Sequence, residues 1–166
     1  SLLAFGLPSF AGPAAPQAAG ARIGIVYNLT FWGISFGQTS FDMRFQKDAY
    51  ETSSDFHTSG LVSAFWQANI QATSTGRHDD HDFQPLVYDS FYSRGEDKKE
   101  RVKLTYASEI PTLFADPPYK VNKYPVSDEQ KKDSLDPMSA VAFILTGAQA
   151  DAKNPCGKVA PVFDRS

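Results

Sequence analysis

The sequence predicts a mainly β protein: a curved antiparallel sheet, or a partial barrel, packed around one C-terminal helix. Three observations predict this β-rich α+β fold. Apolar and polar residues alternate over six or so short segments between residues 22 and 106. Short polar loops join these segments, as in an antiparallel meander. A single later segment, beginning at Asp136, has helical periodicity with its own start and stop signals.

The first three strands are predicted close together. Apolar and aromatic residues at alternate positions from Ile23 to Phe31 predict a first strand over 22–32 that is half or mostly buried. A turn or kink over 33–37 leads to a clearer alternation over 39–46, which predicts the second strand. A polar turn over 46–49 then precedes a third strand over 50–58.

The following part of the chain continues the meander. Residues 61–66 are apolar and fit either a short helical turn or a bent strand. Loops are predicted over 76–82 and 93–100 because both stretches are polar and contain glycine. Residues 107–135 contain four prolines and no periodicity, which predicts a long connection. Three more strands are predicted, over 66–73, 86–92 and 101–106.

The helix has local signals at both ends. Asp136 is suited to the N-cap, because its carboxylate can accept from free N–H groups of the first turn. Pro137 fits the first helical position, where no N–H is needed, and Gly147 fits the stop. The apolar face of this helix would consist of Met138, Val141, Ala142 and Leu145.

Composition limits the function classes. A chain of 166 residues is long enough for one domain and too short for two well-packed ones. A net charge of −3 argues against nucleic acid as a partner, since that function needs a concentrated basic face. No uninterrupted apolar run reaches about 18 residues, so no transmembrane span is predicted. One cysteine excludes an internal disulfide framework.

Residues 1–21 are predicted to be the remnant of a secretory signal peptide, followed by one β-rich domain over 22–166. This first segment has no charged side chain; a short apolar stretch precedes Ala, Pro and Gly residues and ends in Ala19-Gly20-Ala21. The alternative is a disordered Ala/Pro linker. The signal-peptide interpretation predicts an exported, periplasmic protein.

Several segments together resemble the bacterial domain of unknown function family 3108 over about residues 22–164. The most specific are Asp-Pro-Met-Ser-Ala at 136–140 and the stretch from Pro155-Cys156-Gly157 to Val162-Phe163-Asp164. The resemblance implies an exported envelope protein, a curved antiparallel sheet around a helix, and no enzymatic activity. Family members usually continue with more strands and a second cysteine. The resemblance therefore implies that the last strands of the sheet are missing from this sequence and that Cys156 has its disulfide partner outside it.

Residues 77–82, Arg-His-Asp-Asp-His-Asp, contain the only candidate metal ligands, His78 and His81. Adjacent loop residues rarely converge on one ion without a rigid scaffold, so a solvated hairpin tip is the preferred interpretation. His57 is better explained as a structural histidine than as a general base. No G-x-S-x-G or G-x-G-x-x-G motif is present, and no cofactor is predicted. A metal-dependent hydrolase therefore ranks last.

Aromatic residues give the leading functional prediction. Thirteen Phe, seven Tyr and two Trp are many for this length. We predict a non-enzymatic envelope protein whose concave sheet face binds or carries an apolar ligand such as a lipid. The alternative is a structural or interaction protein, with an envelope protein as partner, in which the helix fills the hollow and no ligand binds. The predicted lining residues are Tyr27, Phe31, Phe41, Met43 and Phe45.

Overall fold

The computed structural model describes residues 20–79, 82–118, 125–147 and 159–165. Seven antiparallel strands form one open sheet, and their order in the sheet follows their order in the chain. The predicted mainly β fold with a meander is thereby confirmed. The strands are β1 (Ala21–Phe31), β2 (Ile34–Gln46), β3 (Ala49–Thr58), β4 (Ala68–His78), β5 (Phe83–Arg94), β6 (Lys98–Thr105) and β7 (Thr112–Asp116).

Two elements differ from the predicted outline, and a third settles an alternative that the sequence left open. The strand β7 lies within the stretch predicted as an irregular connection, because its five residues are too few to show alternation among the surrounding prolines. A 3₁₀ helix at Gly60–Ala64 confirms the helical-turn option for the apolar stretch between β3 and β4. A short helix, α1 (Asp128–Lys131), begins at a capping box formed by Ser127 and Gln130.

The first hairpin is tighter than predicted. Its loop has only two residues, Trp32 with φ 51° and Gly33 with φ 78°. Two successive left-handed residues are typical of the type I′ turn, whose twist matches that of the two strands. The register shifts between Leu29 and Thr30, so β2 carries one extra residue near this turn.

Strand direction defines two ends of the sheet. The turn after β1, the 3₁₀ helix and the turn after β5 lie at one end, here called the upper end. The turns after β2 and β4 lie at the opposite, lower end. The distinction matters because the helix covers the lower part of the sheet, whereas Phe31, Trp32 and Phe65 are exposed at the upper end.

The helix α2 (Pro137–Thr146) packs against β3, β4 and β5 on one face, here called the helix face. Its predicted signals are confirmed: Asp136 accepts hydrogen bonds from the backbone N of Met138 at 2.9 Å and of Ser139 at 3.0 Å. Gly147 ends it with φ 65°. Within the described residues, no helix has the length and apolar character needed to cross a bilayer.

The C-terminal segment 159–165 lies beside the start of α2. Leu135 donates its backbone N–H to the carbonyl of Pro161 and accepts from the N–H of Phe163, both at 2.9 Å. Phe163 is buried in the same apolar cluster as Met138. A second cluster on the lower part of the sheet contains Met43, Tyr50, Phe83, Leu135, Ala140, Ala142 and Phe143.

Candidate functional site

Cross-strand pairing arranges the side chains of the helix face in rows that run across the sheet. One row lies beneath α2 and is here called the anchor row. All its members are buried, from 0 % exposed at Met43 to 7 % at Tyr88. Their burial shows that α2, together with Leu135 and Phe163 beside it, covers this part of the sheet. The paired residues of the anchor row are Met43, Thr52, Ser74, Tyr88 and Leu104.

A second row lies four residues further toward the upper end, about 13 Å from the anchor row. It is here called the aromatic row and consists of the paired residues Tyr27, Thr39, Phe56, Ile70, Tyr92 and Glu100.

The aromatic row is only partly covered. Tyr27 is 48 % exposed and Ile70 is 40 % exposed, while Phe56 and Tyr92 are half-buried. These side chains share the face on which α2 lies, because Ile70 is two residues before the buried Ala72 on β4. The helix therefore covers the lower rows of this face and leaves the aromatic row partly open.

A cavity of about 430 Å³ adjoins the aromatic row. This volume is within the usual range for small-molecule sites. Ile70, Tyr92 and Val102 contribute apolar walls to it. Its polar rim is formed by Lys98, Glu100, Asp164 and Arg165.

The rim charges are paired with one another. The carboxylate of Glu100 lies 3.1 Å from Nζ of Lys98 and 3.8 Å from Nη1 of Arg165. Nζ of Lys98 also lies 5.6 Å from the centre of the Tyr92 ring, a cation–π contact. The site thus joins an apolar floor to a charged edge, which suits a molecule with a hydrocarbon part and a polar part.

Gly37 keeps the Phe56 ring close to the sheet. A Cβ atom at position 37 would lie 2.9 Å from Cε2 of Phe56 and 3.0 Å from the carbonyl oxygen of His57. Real Cβ atoms essentially never approach so closely, so the glycine allows this aromatic ring to lie over β2.

Below the aromatic row, four buried polar side chains connect α2 to the anchor row. Oδ2 of Asp136 accepts from Ser74 Oγ at 2.8 Å and from Ser139 Oγ at 2.5 Å. The hydroxyl of Tyr50 lies 2.6 Å from Ser139 Oγ. Burial raises the pKa of the Asp136 carboxyl, although the hydrogen bonds of Ser139 and Ser74 oppose this shift. Burial likewise raises the pKa of the Tyr50 hydroxyl.

These polar side chains are closed off from solvent, since Asp136 and Ser139 are 0 % exposed. A substrate has no access to them while α2 is in place. We therefore interpret the network as the attachment of α2 to the sheet.

The predicted ligand-lining residues are divided among three places. Met43 belongs to the anchor row, and Phe41 and Phe45 pack against the core clusters. Tyr27 belongs to the aromatic row, with its ring 6.3 Å from that of Phe41 in an edge-to-face arrangement. Phe31 lies beyond the register shift at the upper end, beside a cleft that it shares with Ile34, Phe36 and Val62.

The sequence analysis did not select Phe56, Ile70 or Tyr92. The alternation of β3, β4 and β5 was visible, but the register that brings these three together was not. The one signal in the sequence that could have indicated the aromatic row was the presence of aromatic residues at alternating positions of neighbouring strands.

Of the residues considered for metal binding or catalysis, the structure describes His78 and His57, and neither belongs to the aromatic row. The ring of His78 stacks on Phe83 at 5.9 Å and meets Phe45 edge-on at 5.3 Å. Nδ1 of His57 lies 3.2 Å from Asp55 Oδ1 on the exposed surface. His81 and Cys156 are outside the described residues. Among the residues that are described, no three His, Cys, Asp or Glu side chains are grouped as metal ligands would be.

Comparison with known proteins places the chain in a family. The family model described as "Protein of unknown function (DUF3108)" matches residues 26–166. No curated protein and no solved structure matches the chain. The match covers nearly all of the sheet, α2 and the C-terminal segment, and the chain therefore belongs to the DUF3108 family of proteins of unknown function.

Proposed function

We propose that this chain binds an apolar molecule of the lipid type on the aromatic row and does not act as an enzyme. One observation carries the proposal: α2 covers the anchor row and leaves the aromatic row half-exposed beside a 430 Å³ cavity. Ile70 and Tyr92 of the row line this cavity, and partly exposed aromatic and aliphatic side chains beside a cavity are typical of small-molecule sites.

The chemistry of the site favours an amphipathic ligand. An acyl chain placed over Phe56, Ile70 and Tyr92 would remove their apolar surface from water, at about 25 cal/mol per Å². A polar head group would meet Lys98 and Arg165 at the rim. Because both cations already share Glu100, we expect the hydrocarbon part to supply most of the affinity.

A titration with cis-parinaric acid, a fluorescent fatty acid, tests the proposal. Ile70→Glu places a charge where the acyl chain would lie, and burying that charge is costly. We expect saturable binding by the unsubstituted protein and a Kd at least tenfold higher, about 1.4 kcal/mol, in Ile70→Glu.

Val26→Glu is the matched control. It introduces the same charge at an exposed apolar residue of β1, one position from Tyr27 and therefore on the opposite face of the sheet. We expect its Kd to equal that of the unsubstituted protein. Failure of the unsubstituted protein to bind, or an equal loss in both variants, would contradict the proposed site and favour the interaction-protein alternative.

Export is part of the same proposal and is supported by the charge-free, apolar and small residues of 1–21. The complete gene product, expressed in bacterial cells and fractionated, is expected in the periplasmic fraction. Recovery with a cytoplasmic marker would contradict export without affecting the ligand site.

A further inference from the structure

A group of exposed apolar side chains lies at the upper end of the sheet, apart from the aromatic row. Trp32 is 89 % exposed and Phe65 is 92 % exposed, and their neighbours are also solvent-accessible. We call this surface the apolar tip; it consists of Phe31, Trp32, Ile34, Leu61, Phe65 and Trp66. A shared cleft joins the two segments, since Phe31 and Ile34 line it together with Val62 of the 3₁₀ helix, and exposed apolar surface of this kind usually marks an interaction site.

The two segments that form the apolar tip carry no charge. Residues 23–41 and 58–76 contain no Asp, Glu, Lys, Arg or His. Elsewhere in the sheet charged residues are frequent, as in β6, where four of the first five residues are charged. These are the two longest charge-free stretches of the sheet, and they include the β1–β2 turn and the 3₁₀ helix.

The backbone at Trp32 gives a second indication. A left-handed φ is rare for a bulky side chain and is preferred by Asn, Asp and Gly. Asn-Gly would form the same turn more favourably than Trp32-Gly33 does. A strained, almost fully exposed Trp where turn chemistry favours a small polar residue points to a role outside folding.

We propose that the apolar tip docks on the surface of a lipid bilayer. Trp and Phe are suited to the interfacial zone of a membrane, where an apolar ring lies beneath the polar head groups. A charge-free surface enters that zone without the cost of desolvating an ion.

Three cations lie beside the tip and can each meet a lipid phosphate. The β5–β6 turn is at the same end of the sheet. Its Gly95 donates a backbone N–H to the carbonyl oxygen of Gln67 in the β3–β4 connection, at 3.0 Å. Residues 94–100 include three cations and three anions, a net charge of 3 − 3 = 0, so any contact with phosphates is made by single cations and not by a positively charged surface. The cations are Arg94, Lys98 and Lys99.

The chain's own residues 1–19 are an alternative occupant of the tip, because 19 extended residues span about 60 Å. They connect to β1 at its lower end, where Ala21 pairs with Phe45. The tip is about ten residues, roughly 33 Å, from that point along the strand. A second copy of the chain is the other occupant, and the experiment distinguishes it.

The two tryptophans of the protein are both in the apolar tip, so intrinsic fluorescence reports on this surface alone. The full chain is mixed with vesicles of phosphatidylcholine and phosphatidylglycerol. We expect a blue shift of the Trp emission that saturates with lipid, quenching by brominated phosphatidylcholine, and flotation with the vesicles.

Two tip variants and one control locate the contact. Trp32→Asn gives the preferred type I′ dipeptide, so its thermal midpoint should be at or above that of the unsubstituted protein, and Trp66 still reports. Phe65→Ser removes the second exposed ring. Phe114→Ser is the control, because it removes an exposed Phe from the edge strand β7. We expect vesicle partitioning to fall at least tenfold in the two tip variants and less than twofold in the control.

Three results would overturn the proposal. The first is an unchanged emission spectrum with vesicles, and the second is an equal loss of partitioning in Phe114→Ser. The third is a blue shift that appears without lipid as protein concentration rises, which would assign the tip to a second copy. These results are independent of fatty-acid binding, because Ile70→Glu tests the aromatic row and leaves the tip intact.

Discussion

At the scale of single residues, the position of α2 depends on Asp136. Its Oδ1 accepts from two backbone N–H groups of the first helical turn, and its Oδ2 accepts from Ser74 and Ser139. The same carboxylate thus caps the helix and attaches it to β4. Removing the Asp136 carboxylate would therefore weaken both the cap of α2 and its attachment to β4.

Asp136→Ala is expected to lower the free energy of unfolding by about 2–4 kcal/mol. Loss of an N-cap costs about 1 kcal/mol, and buried hydroxyls without their acceptor cost about 1–3 kcal/mol. Urea unfolding measures the change. The control is Asp128→Ala, which removes an exposed ion pair with Lys131 and should cost no more than about 0.5 kcal/mol. Equal effects in the two variants would contradict the assigned role.

Stability should also depend on pH through Asp136. Burial raises its pKa above the ordinary value of 3.8, so the folded protein holds this proton more tightly than the unfolded chain does. The contribution of Asp136 to the unfolding free energy therefore increases as pH falls from neutral through the raised pKa, and becomes constant below about 3.8.

The measurement is the difference in unfolding free energy between the unsubstituted protein and Asp136→Asn, followed from pH 7 to pH 4. This subtraction cancels what other carboxyls contribute to the pH dependence of the unfolding free energy. One of them is Asp42, whose pKa is lowered by its hydrogen bond with Arg22. A difference that does not change across this range would show that Asp136 has no raised pKa.

At the scale of elements, the packing of β3 against β4 depends on a glycine. A Cβ atom at Gly76 would lie 2.4 Å from the carbonyl oxygen of Gln84 and 2.5 Å from the Tyr50 ring. Tyr50 in turn reaches Ser139 of α2. The bare backbone at position 76 therefore allows the Tyr50 side chain to contact the helix.

Gly76→Ala is expected to lower the unfolding free energy by about 1–3 kcal/mol, because the added methyl group must displace buried atoms. Gly24→Ala on β1 is the matched control. No atom lies within 4 Å of its added Cβ, so alanine there should be neutral or stabilising by about 0.5–1 kcal/mol. Similar losses in both variants, measured by thermal unfolding, would contradict the close packing at position 76.

Local signals explain which elements the sequence predicted correctly. The cap, the N1 proline and the stop glycine of α2 act within a few residues, so the bounds of this helix followed from the sequence. Alternation likewise predicted the first six strands. By contrast, β7 is paired to β6 over only five residues, and that pairing depends on tertiary contact with Val102 and Leu104.

At the scale of the whole molecule, the candidate site could be predicted only in part. Tyr27 and Phe41 were selected from one hairpin, where pairing is local. Joining Tyr27 to Phe56, Ile70 and Tyr92 requires the register of four further strands, which no single segment specifies. How far α2 extends over the sheet is likewise a property of packing between distant segments, so the division between a filled and an open part was not predictable.

The central claim is that a lipid-type molecule binds on the aromatic row. It is tested most directly by an NMR titration of the isotope-labelled protein with lauric acid. We predict saturable shifts centred on Tyr27, Phe56, Ile70 and Tyr92, with smaller shifts at the anchor row beneath α2. No saturable shift, or shifts confined to the apolar tip or to the outer face around Val26, would contradict the account.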